Sequence, residues 1–173
     1  SQKGKDIFQT WVRERATHNN INTLGDVLTS LELKDLSELI KDDSDFNQDI
    51  SNWDVSQVTD MSEMFQGANQ FNRDISGWTI SDLESANNIF DGTPLGDSYP
   101  TNLNSTSIWN SWSTPDRINS TNVTAVGHVM NSLGVKDLSE HFEGATNFNQ
   151  NVGTWNVSEV TDMSEMFLGA TSF

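Results

Sequence analysis

Four oxygen-bearing side chains alternate along residues 43–49 at a spacing that could bind a calcium ion. They are Asp43, Asp45, Asn47 and Asp49. Calcium takes carboxylate and amide oxygens as ligands, but this run lacks the glycine turn and the later bidentate glutamate of an EF-hand loop. A similar segment at residues 145–151 carries alanine and asparagines at the same spacing, which argues against a metal role shared by both segments. Calcium binding is therefore one hypothesis, and the absence of any cofactor is the other.

A second set of polar side chains is expected on the outside of the protein at equivalent positions. The candidate binding residues are Asp49, Asp54, Asp60, Asn156 and Asp162. Carboxylates and amides in register could bind a partner, but such ladders can also satisfy one another and serve only the structure. The structural interpretation is favoured.

Residues suited to enzyme chemistry are few. The chain has three histidines and no cysteine. We expect His18 at the end of a first helix, His128 in a later helical segment, and His141 at a core position that Met64 fills elsewhere. There is no Gly-rich phosphate loop, Cys–His pair or His-x-x-x-His motif. The sequence therefore predicts a protein that is not an enzyme.

Four asparagines stand in Asn-x-Ser/Thr sequons and would accept a glycan if the source were a eukaryote. They are Asn104, Asn119, Asn122 and Asn156. Short patterns of this kind also arise by chance in a chain rich in serine and asparagine, so the sequons alone establish nothing.

Charge and hydropathy exclude several classes of partner. The net charge of −16 gives no electrostatic basis for binding nucleic acid or an anionic membrane surface. No stretch is apolar over the length needed to span a bilayer, so direct membrane insertion of this segment is not expected. The lack of cysteine leaves the redox compartment open.

The dominant feature of the chain is a 25-residue repeat. Residues 46–70 and 148–172 are identical at 16 of 25 positions, and residues 71–95 form a looser copy. Phe173 would begin another copy, so the array is expected to be cut partway. Repeats of this length stack as supersecondary units that bury their apolar faces against their neighbours.

A longer period of about 102 residues lies over the short one, because Leu24-Gly-Asp-Val27 resembles Val126-Gly-His-Val129. We therefore predict a tandem duplication in which helical segments cap the repeats. The predicted units are 1–98, with a cap at 1–32 and coils at 33–95, and 99–173, with a cap at 99–134 and coils at 135–173.

The spacing of apolar residues within a repeat predicts its backbone. Trp53 and Val55 alternate with Asp54, which is typical of a short strand with its apolar side chains turned inward. Met61 and Met64 have the spacing of a short helix or 3₁₀ turn and are expected in the core. The sequence thus predicts an α/β repeat solenoid of leucine-rich-repeat-like coils, each with one short strand and one short helical turn.

Three tryptophans, Trp53, Trp78 and Trp155, share one repeat position and could form either a buried ladder or an exposed sugar-binding stripe. Burial is favoured because their neighbours two residues on are aliphatic: Val55, Ile80 and Val157.

The run Trp-Asp-Val-Ser-x-Val-Thr-Asp-Met-Ser-x-Met-Phe-x-Gly-Ala, beginning at Trp53, closely resembles the BspA-type leucine-rich repeat in its mycoplasma-lipoprotein-like form. The resemblance covers residues 46–95 and 135–173, and it is loosest over residues 71–95. It implies a right-handed solenoid displayed outside the cell, often in adhesion, and it implies no catalytic residues.

Two functions follow as expectations. The first is a non-enzymatic extracellular module of a larger cell-surface protein that binds a surface or matrix protein or a glycan. The second is a structural segment of a surface fibre built from such units, with further copies of the chain as end-to-end partners. The tandem duplication favours the second.

Overall fold

The computed structural model describes residues 2–15, 20–96 and 103–173 and contains two helix pairs separated by repeats. The α-helices are α1 (Gln2–Arg15), α2 (Ile21–Ser30), α3 (Leu103–Trp112) and α4 (Val123–Ser132), and a short 3₁₀ helix spans Val152–Thr154. The α-helices lie in the segments predicted as caps. His18 lies outside the described residues.

Successive repeats lie against one another through a regular set of backbone hydrogen bonds. The N–H groups of Leu36 and Ile40 donate to the carbonyls of Asp60 and Met64, at 2.8 and 2.9 Å. Equivalent bonds join residues 61–67 to 85–91 and residues 138–144 to 162–168. Each coil, as we call the backbone of one repeat, is thus tied to the next by every second N–H over this stretch.

The predicted α/β class is wrong for the part of the chain that the structure describes. Residues 50–58 form turns rather than a strand, since Trp53 and Val58 donate to the carbonyls three residues earlier, at 3.0 and 2.9 Å. No strand or sheet forms in the described ranges. Pairing of the β type is limited to isolated parallel bridges, which are Asp35–Asp60, Asp60–Ser85 and Asp137–Asp162.

The helical turn predicted around Met61 and Met64 is also wrong. The Met61 N–H donates to the next coil, whereas the Met64 N–H closes a turn on the Met61 carbonyl at 3.1 Å. An α-helix needs successive N–H groups aligned along its axis, and this alternation prevents it. Glu63, between them, has a left-handed backbone with φ of 57°. Each leucine-rich-repeat-like strand and helix is therefore replaced by consecutive turns.

Two left-handed residues recur in each coil at the same places. The first kind has φ between 54° and 58°: Glu38, Glu63, Asn88, Glu140 and Glu165. The second kind has φ between 60° and 76°: Asp42, Gly67, Gly92, Gly144 and Gly169. Glycine suits the second place because a side chain is disfavoured at positive φ and because the coils approach closely there. A Cβ on Gly67 would lie 2.6 Å from the Asp42 carboxylate.

Both helix pairs pack onto the coil that follows them through a tryptophan. Phe8 of α1 lies 5.6 Å from Trp53, measured between ring centroids, and Trp109 of α3 lies 6.1 Å from Trp155. Lys5 of α1, nearly buried, also forms an ion pair of 2.7 Å with Asp35. The buried side chains of helices and coils belong to one hydrophobic core.

Candidate functional site

The three tryptophans of the repeat are core residues, as predicted. Trp53, Trp78 and Trp155 are only 3%, 2% and 7% exposed. Each indole N–H donates to a backbone carbonyl at 2.7–3.2 Å, and the acceptors are Ile21, Ile50 and Val123, respectively. A buried and hydrogen-bonded indole has no face left for a sugar. The prediction that Met61 and Met64 lie in the core is also confirmed. At the equivalent positions of the second unit, Met166 is buried but Met163 is exposed.

The polar side chains that were candidates for binding a partner all close turns. One side-chain oxygen of each residue accepts the backbone N–H two residues later, at 2.8–3.1 Å. The five acceptors are Asp49, Asp54, Asp60, Asn156 and Asp162. Hydrogen bonds from Ser56 and Ser164 lower the pKa of Asp54 and Asp162, respectively. These Asx turns hold the corners of the coils, which is a structural use of the ladder.

Substitution of Asp54 by alanine is expected to lower the free energy of unfolding by about 0.5–1 kcal/mol at pH 7, because the Ser56 N–H loses its acceptor on an exposed turn. Asp54→Asn keeps an acceptor, as Asn156 does in the second unit, and should change stability little. The pKa of Asp54 lies below its ordinary value of 3.8, so its contribution is present above that pH and is lost as the pH falls through the lower value. Urea denaturation at pH 7 and pH 3 measures both effects.

Asp82→Ala serves as the control for that measurement, because it removes an exposed carboxylate without removing a turn. Equal losses of stability in Asp54→Ala and Asp82→Ala would contradict the role given to the Asx turn.

Three of the four residues considered for calcium, which were Asp43, Asp45, Asn47 and Asp49, use their side chains in separate contacts. Asp49 closes its Asx turn, Asn47 Oδ1 accepts the Asn72 N–H at 3.2 Å, and Asp45 accepts from Gln70 at 3.2 Å. These bonds join one coil to the next or close a corner. Calcium at this segment stays a prediction.

The acidic residues that the structure does bring together lie elsewhere. Glu140, Glu143 and Glu165 are exposed, and one carboxylate oxygen of each lies within 4.8 Å of the others. Glu140 and Glu165 occupy the same left-handed position in neighbouring coils, which explains their proximity. No motif in the sequence pointed to this group, because it arises from stacking across 25 residues.

The four sequon asparagines differ in accessibility. Asn122 is fully buried, and its amide donates to the Ile80 and Arg117 carbonyls, so it cannot carry a glycan in the folded chain. Asn104 and Asn119 are half-buried and donate to the carbonyls of residues 72 and 81. Asn156 is the exposed member of the set.

Burial lowers the pKa of both described histidines. His141 stacks on Trp109 at 5.0 Å between ring centroids, and its Nε2 lies 3.3 Å from the Ser113 carbonyl. The carbonyl favours the charged ring, but burial has the larger effect on the pKa. For His128, burial again dominates over the nearby Asp60 carboxylate, which raises the pKa. Both rings are therefore held neutral near pH 7.

Because the pKa of His141 is depressed, its neutral form stabilises the fold above the ordinary value of 6.5, and this stability is lost as the pH falls through the folded value. His141→Leu should therefore lose less stability than the parent chain between pH 8 and pH 5. Leucine is chosen because Leu39 fills the equivalent position in the first unit. Chemical denaturation at the two pH values measures the difference, and an unchanged difference would contradict the assignment.

The α3–α4 pair closes the far side of the repeat at residues 71–95. Arg117 donates to the carbonyls of Ser76 and Trp78, and the buried Asn122 donates to the Ile80 carbonyl at 3.3 Å. We call this contact the junction. At the junction, the carbonyls of this coil therefore accept hydrogen bonds from the helix pair that follows it.

Two acceptors on α4 complete the junction. His128 Nδ1 accepts the Ala86 N–H at 3.3 Å. Ser132 Oγ accepts the Phe90 N–H at 2.7 Å. These two N–H groups occupy the positions that bond to the following coil elsewhere in the array. The helix pair therefore replaces a coil in hydrogen bonding as well as in packing.

Trp112 supplies the apolar centre of the junction. It is 0% exposed, and its ring lies 6.4 Å from the rings of both Trp78 and Phe90. Among the described residues, its indole nitrogen is the one buried side-chain polar atom without a hydrogen-bond partner. Trp112 thus holds its place by packing alone.

Large apolar side chains remain exposed in two places. On the outer face of α1–α2 these are Ile7, Trp11 and Leu31, at 38–41% exposure. On the last coil they are Val157, Met163, Leu168 and Phe173, at 39–54% exposure. Met163 occupies the repeat position of the buried Met61, and Trp11 is the counterpart of the buried Trp112.

Comparison with known proteins gives a family. The protein-family model described as "Mycoplasma protein of unknown function, DUF285" matches residues 9–125 and 101–173. Neither a curated protein nor a solved structure matches the chain. The finer assignment to BspA-type leucine-rich repeats is not confirmed by this match. None of the helices in the described ranges is both long and apolar enough to cross a membrane.

Proposed function

The chain belongs to the DUF285 family of Mycoplasma proteins of unknown function, and we propose that it is a non-enzymatic structural module of an extended scaffold at the cell surface. The location outside the cell rests on the resemblance of its repeat to BspA-type surface repeats. The structural role rests on the geometry described above.

The junction is the observation that carries this proposal. A helix pair and a coil meet through buried aromatic rings, donated hydrogen bonds and accepted hydrogen bonds, so one unit is fixed on the next. Stacked units of this kind contact only their neighbours, and they extend by adding units. The outward polar residues serve the turns of the coils, which leaves a hydrated acidic exterior suited to a scaffold.

Adhesion to a protein or glycan is the second candidate. It is favoured by the convergence of Glu140, Glu143 and Glu165 on one exposed edge, which would attract a cationic partner. Here the coils would act as a support for the acidic edge rather than as the functional element.

The two functions are separated by labelling and binding experiments. For a scaffold, antibodies against this chain should label intact cells of the source organism along extended structures in electron micrographs. Labelling that needs permeabilised cells would overturn the surface role. For adhesion, the purified chain should bind host cells saturably, and the combined change of Glu140, Glu143 and Glu165 to glutamine should abolish that binding. Saturable binding that depends on these residues would favour adhesion over the scaffold.

A further inference from the structure

We propose that the cleft between the coil at residues 71–95 and α4 binds a neutral, hydroxyl-bearing ligand of the size of one sugar ring. The cleft lies at the edge of the junction, and its volume is about 190 Å³. Both of its walls are interior to the chain, because further coils precede residue 71 and follow α4. The proposal goes beyond the scaffold function and does not rest on it.

Polar side chains line the cleft. They comprise three amides, one carboxylate, one imidazole and one hydroxyl, from Asn87, Asn88, Asp91, His128, Asn131 and Ser132. No apolar or aromatic side chain of the described ranges is among them, so the cleft offers no surface for a hydrophobic ligand. Its groups suit a ligand that both donates and accepts hydrogen bonds.

A backbone donor at the cleft interrupts the hydrogen bonding of the junction. In an inner coil, the N–H at the left-handed position donates to the following coil, as that of Glu63 does at 2.7 Å. Asn88 occupies this position in the coil at residues 71–95, with φ of 54°. Its N–H stands between those of Ala86 and Phe90, which α4 accepts, but it has no acceptor among the described residues. An oxygen of a ligand in the cleft would supply one.

Two side chains of the cleft are held by hydrogen bonds that leave another polar atom open. His128 Nδ1 accepts the Ala86 N–H at 3.3 Å, so the neutral ring carries its proton on Nε2, which is a donor. One oxygen of Asp91 accepts the Ser132 hydroxyl at 2.8 Å, and the other oxygen is a further acceptor. Within the part of the chain that the structure describes, neither Nε2 nor this second oxygen has a hydrogen-bond partner. The cleft therefore presents an oriented donor and an oriented acceptor beside the Asn88 N–H.

The charge and size of the cleft select the class of ligand. Asp91 and the net charge of −16 disfavour an anion. A cation would meet a single carboxylate, and one oxygen of that carboxylate already accepts the Ser132 hydroxyl. Hydroxyl groups can accept from the Asn88 N–H and donate to Asp91, and amides bind hydroxyls in both directions. The volume equals that of about six water molecules, which suits one sugar ring rather than a drug-sized ligand.

The test titrates the 173-residue chain with single sugars and follows its amide signals by NMR. The probes are glucose, galactose, mannose and N-acetylglucosamine, each as the free sugar and as its methyl glycoside. At least one should shift the Asn88 and His128 signals saturably, with a dissociation constant of about 0.1–10 mM. Shifts with the free form alone would indicate a free sugar as the ligand, and shifts with both forms would indicate the terminal sugar of a glycan. Either result supports the cleft as the site.

Matched substitutions locate the binding. Asn131→Trp, at an exposed position of α4 that lines the cleft, should weaken binding by about tenfold or more, because the indole takes the volume of the ligand. Asn110→Trp makes the same change at an exposed position of α3 outside the cleft, and it should bind as the parent chain does. Asn88→Gly keeps the left-handed backbone and its N–H but removes the amide, so binding should weaken by about threefold or more.

Two results would overturn the sugar-binding proposal. One is that no probe shifts the Asn88 and His128 signals at about 100 mM. The other is that Asn131→Trp, with the circular dichroism of the parent chain, binds as the parent does. Should Asn131→Trp not fold, Asn131→Ala replaces it and should weaken binding by about threefold or more, since an amide is lost. Failure of this proposal would leave the scaffold function to its own test, which is the surface labelling of cells.

Discussion

Alanine in place of Trp112 is expected to lower the free energy of unfolding by about 2–4 kcal/mol, because a fully buried indole would leave a cavity at the centre of the junction. The loss is at the lower end for a tryptophan, since the indole nitrogen has no hydrogen-bond partner whose loss would add to it. Trp78 and Phe90 would each lose a ring contact of 6.4 Å. Urea denaturation followed by circular dichroism measures the change.

The same denaturation experiment also measures how cooperatively the two units unfold. If Trp112 couples the two units, the alanine variant should unfold in a broader transition or in two steps, because neighbouring units of a stacked array lose cooperativity when their interface is weakened. Trp11→Ala is the matched control, because Trp11 is the counterpart of Trp112 and is 38% exposed. Its loss should stay within about 1 kcal/mol. Equal losses at both positions would contradict the role of the junction.

The sequence predicted which residues are buried better than it predicted their backbone. Alternation around Trp53 placed it and Val55 in the core and Asp54 outside, and the structure confirms all three. The strand inferred from the same alternation is wrong. Consecutive turns, each closed by a hydrogen bond between residues three apart, can also direct successive side chains to opposite sides of the backbone. Apolar periodicity indicates which residues are buried, but it does not indicate which carbonyl accepts the hydrogen bond from each N–H. Glu63 shows the limit of prediction from sequence, because its left-handed backbone could not be inferred from its residue type.

The interaction surfaces were less predictable than the core. The repeat identified Asp54 and Asp162 as outward residues, but not that their carboxylates close turns. The junction was missed because its donors, such as Arg117 and Asn122, lie about 40 residues from the carbonyls they meet. Comparison of the two units could have indicated it, since Trp11 and Trp112 recur at one position. Only the structure shows that one is covered and the other is exposed.

Gly127→Ala is expected to destabilise the chain by about 1–3 kcal/mol, although alanine is the better helix former. A Cβ on Gly127 would lie 2.5 Å from Cδ1 of Trp155, inside van der Waals contact. The indole cannot retreat without losing its 2.7 Å hydrogen bond to the Val123 carbonyl. The steric cost therefore exceeds the gain in helix propensity of about 1 kcal/mol. Thermal or urea denaturation measures the sign directly.

The duplication supplies both a replicate and a control for this prediction. Gly25 faces Trp53 in the same way, with its added Cβ 2.7 Å from Cδ1, so Gly25→Ala should also destabilise the chain. Asn131→Ala, on the exposed side of α4, should be neutral or slightly stabilising. Combining Gly127→Ala with Trp155→Phe should cost less than the sum of the two single changes, because the smaller ring relieves the clash. Strict additivity would show that the glycine is needed for some reason other than the approach of the indole.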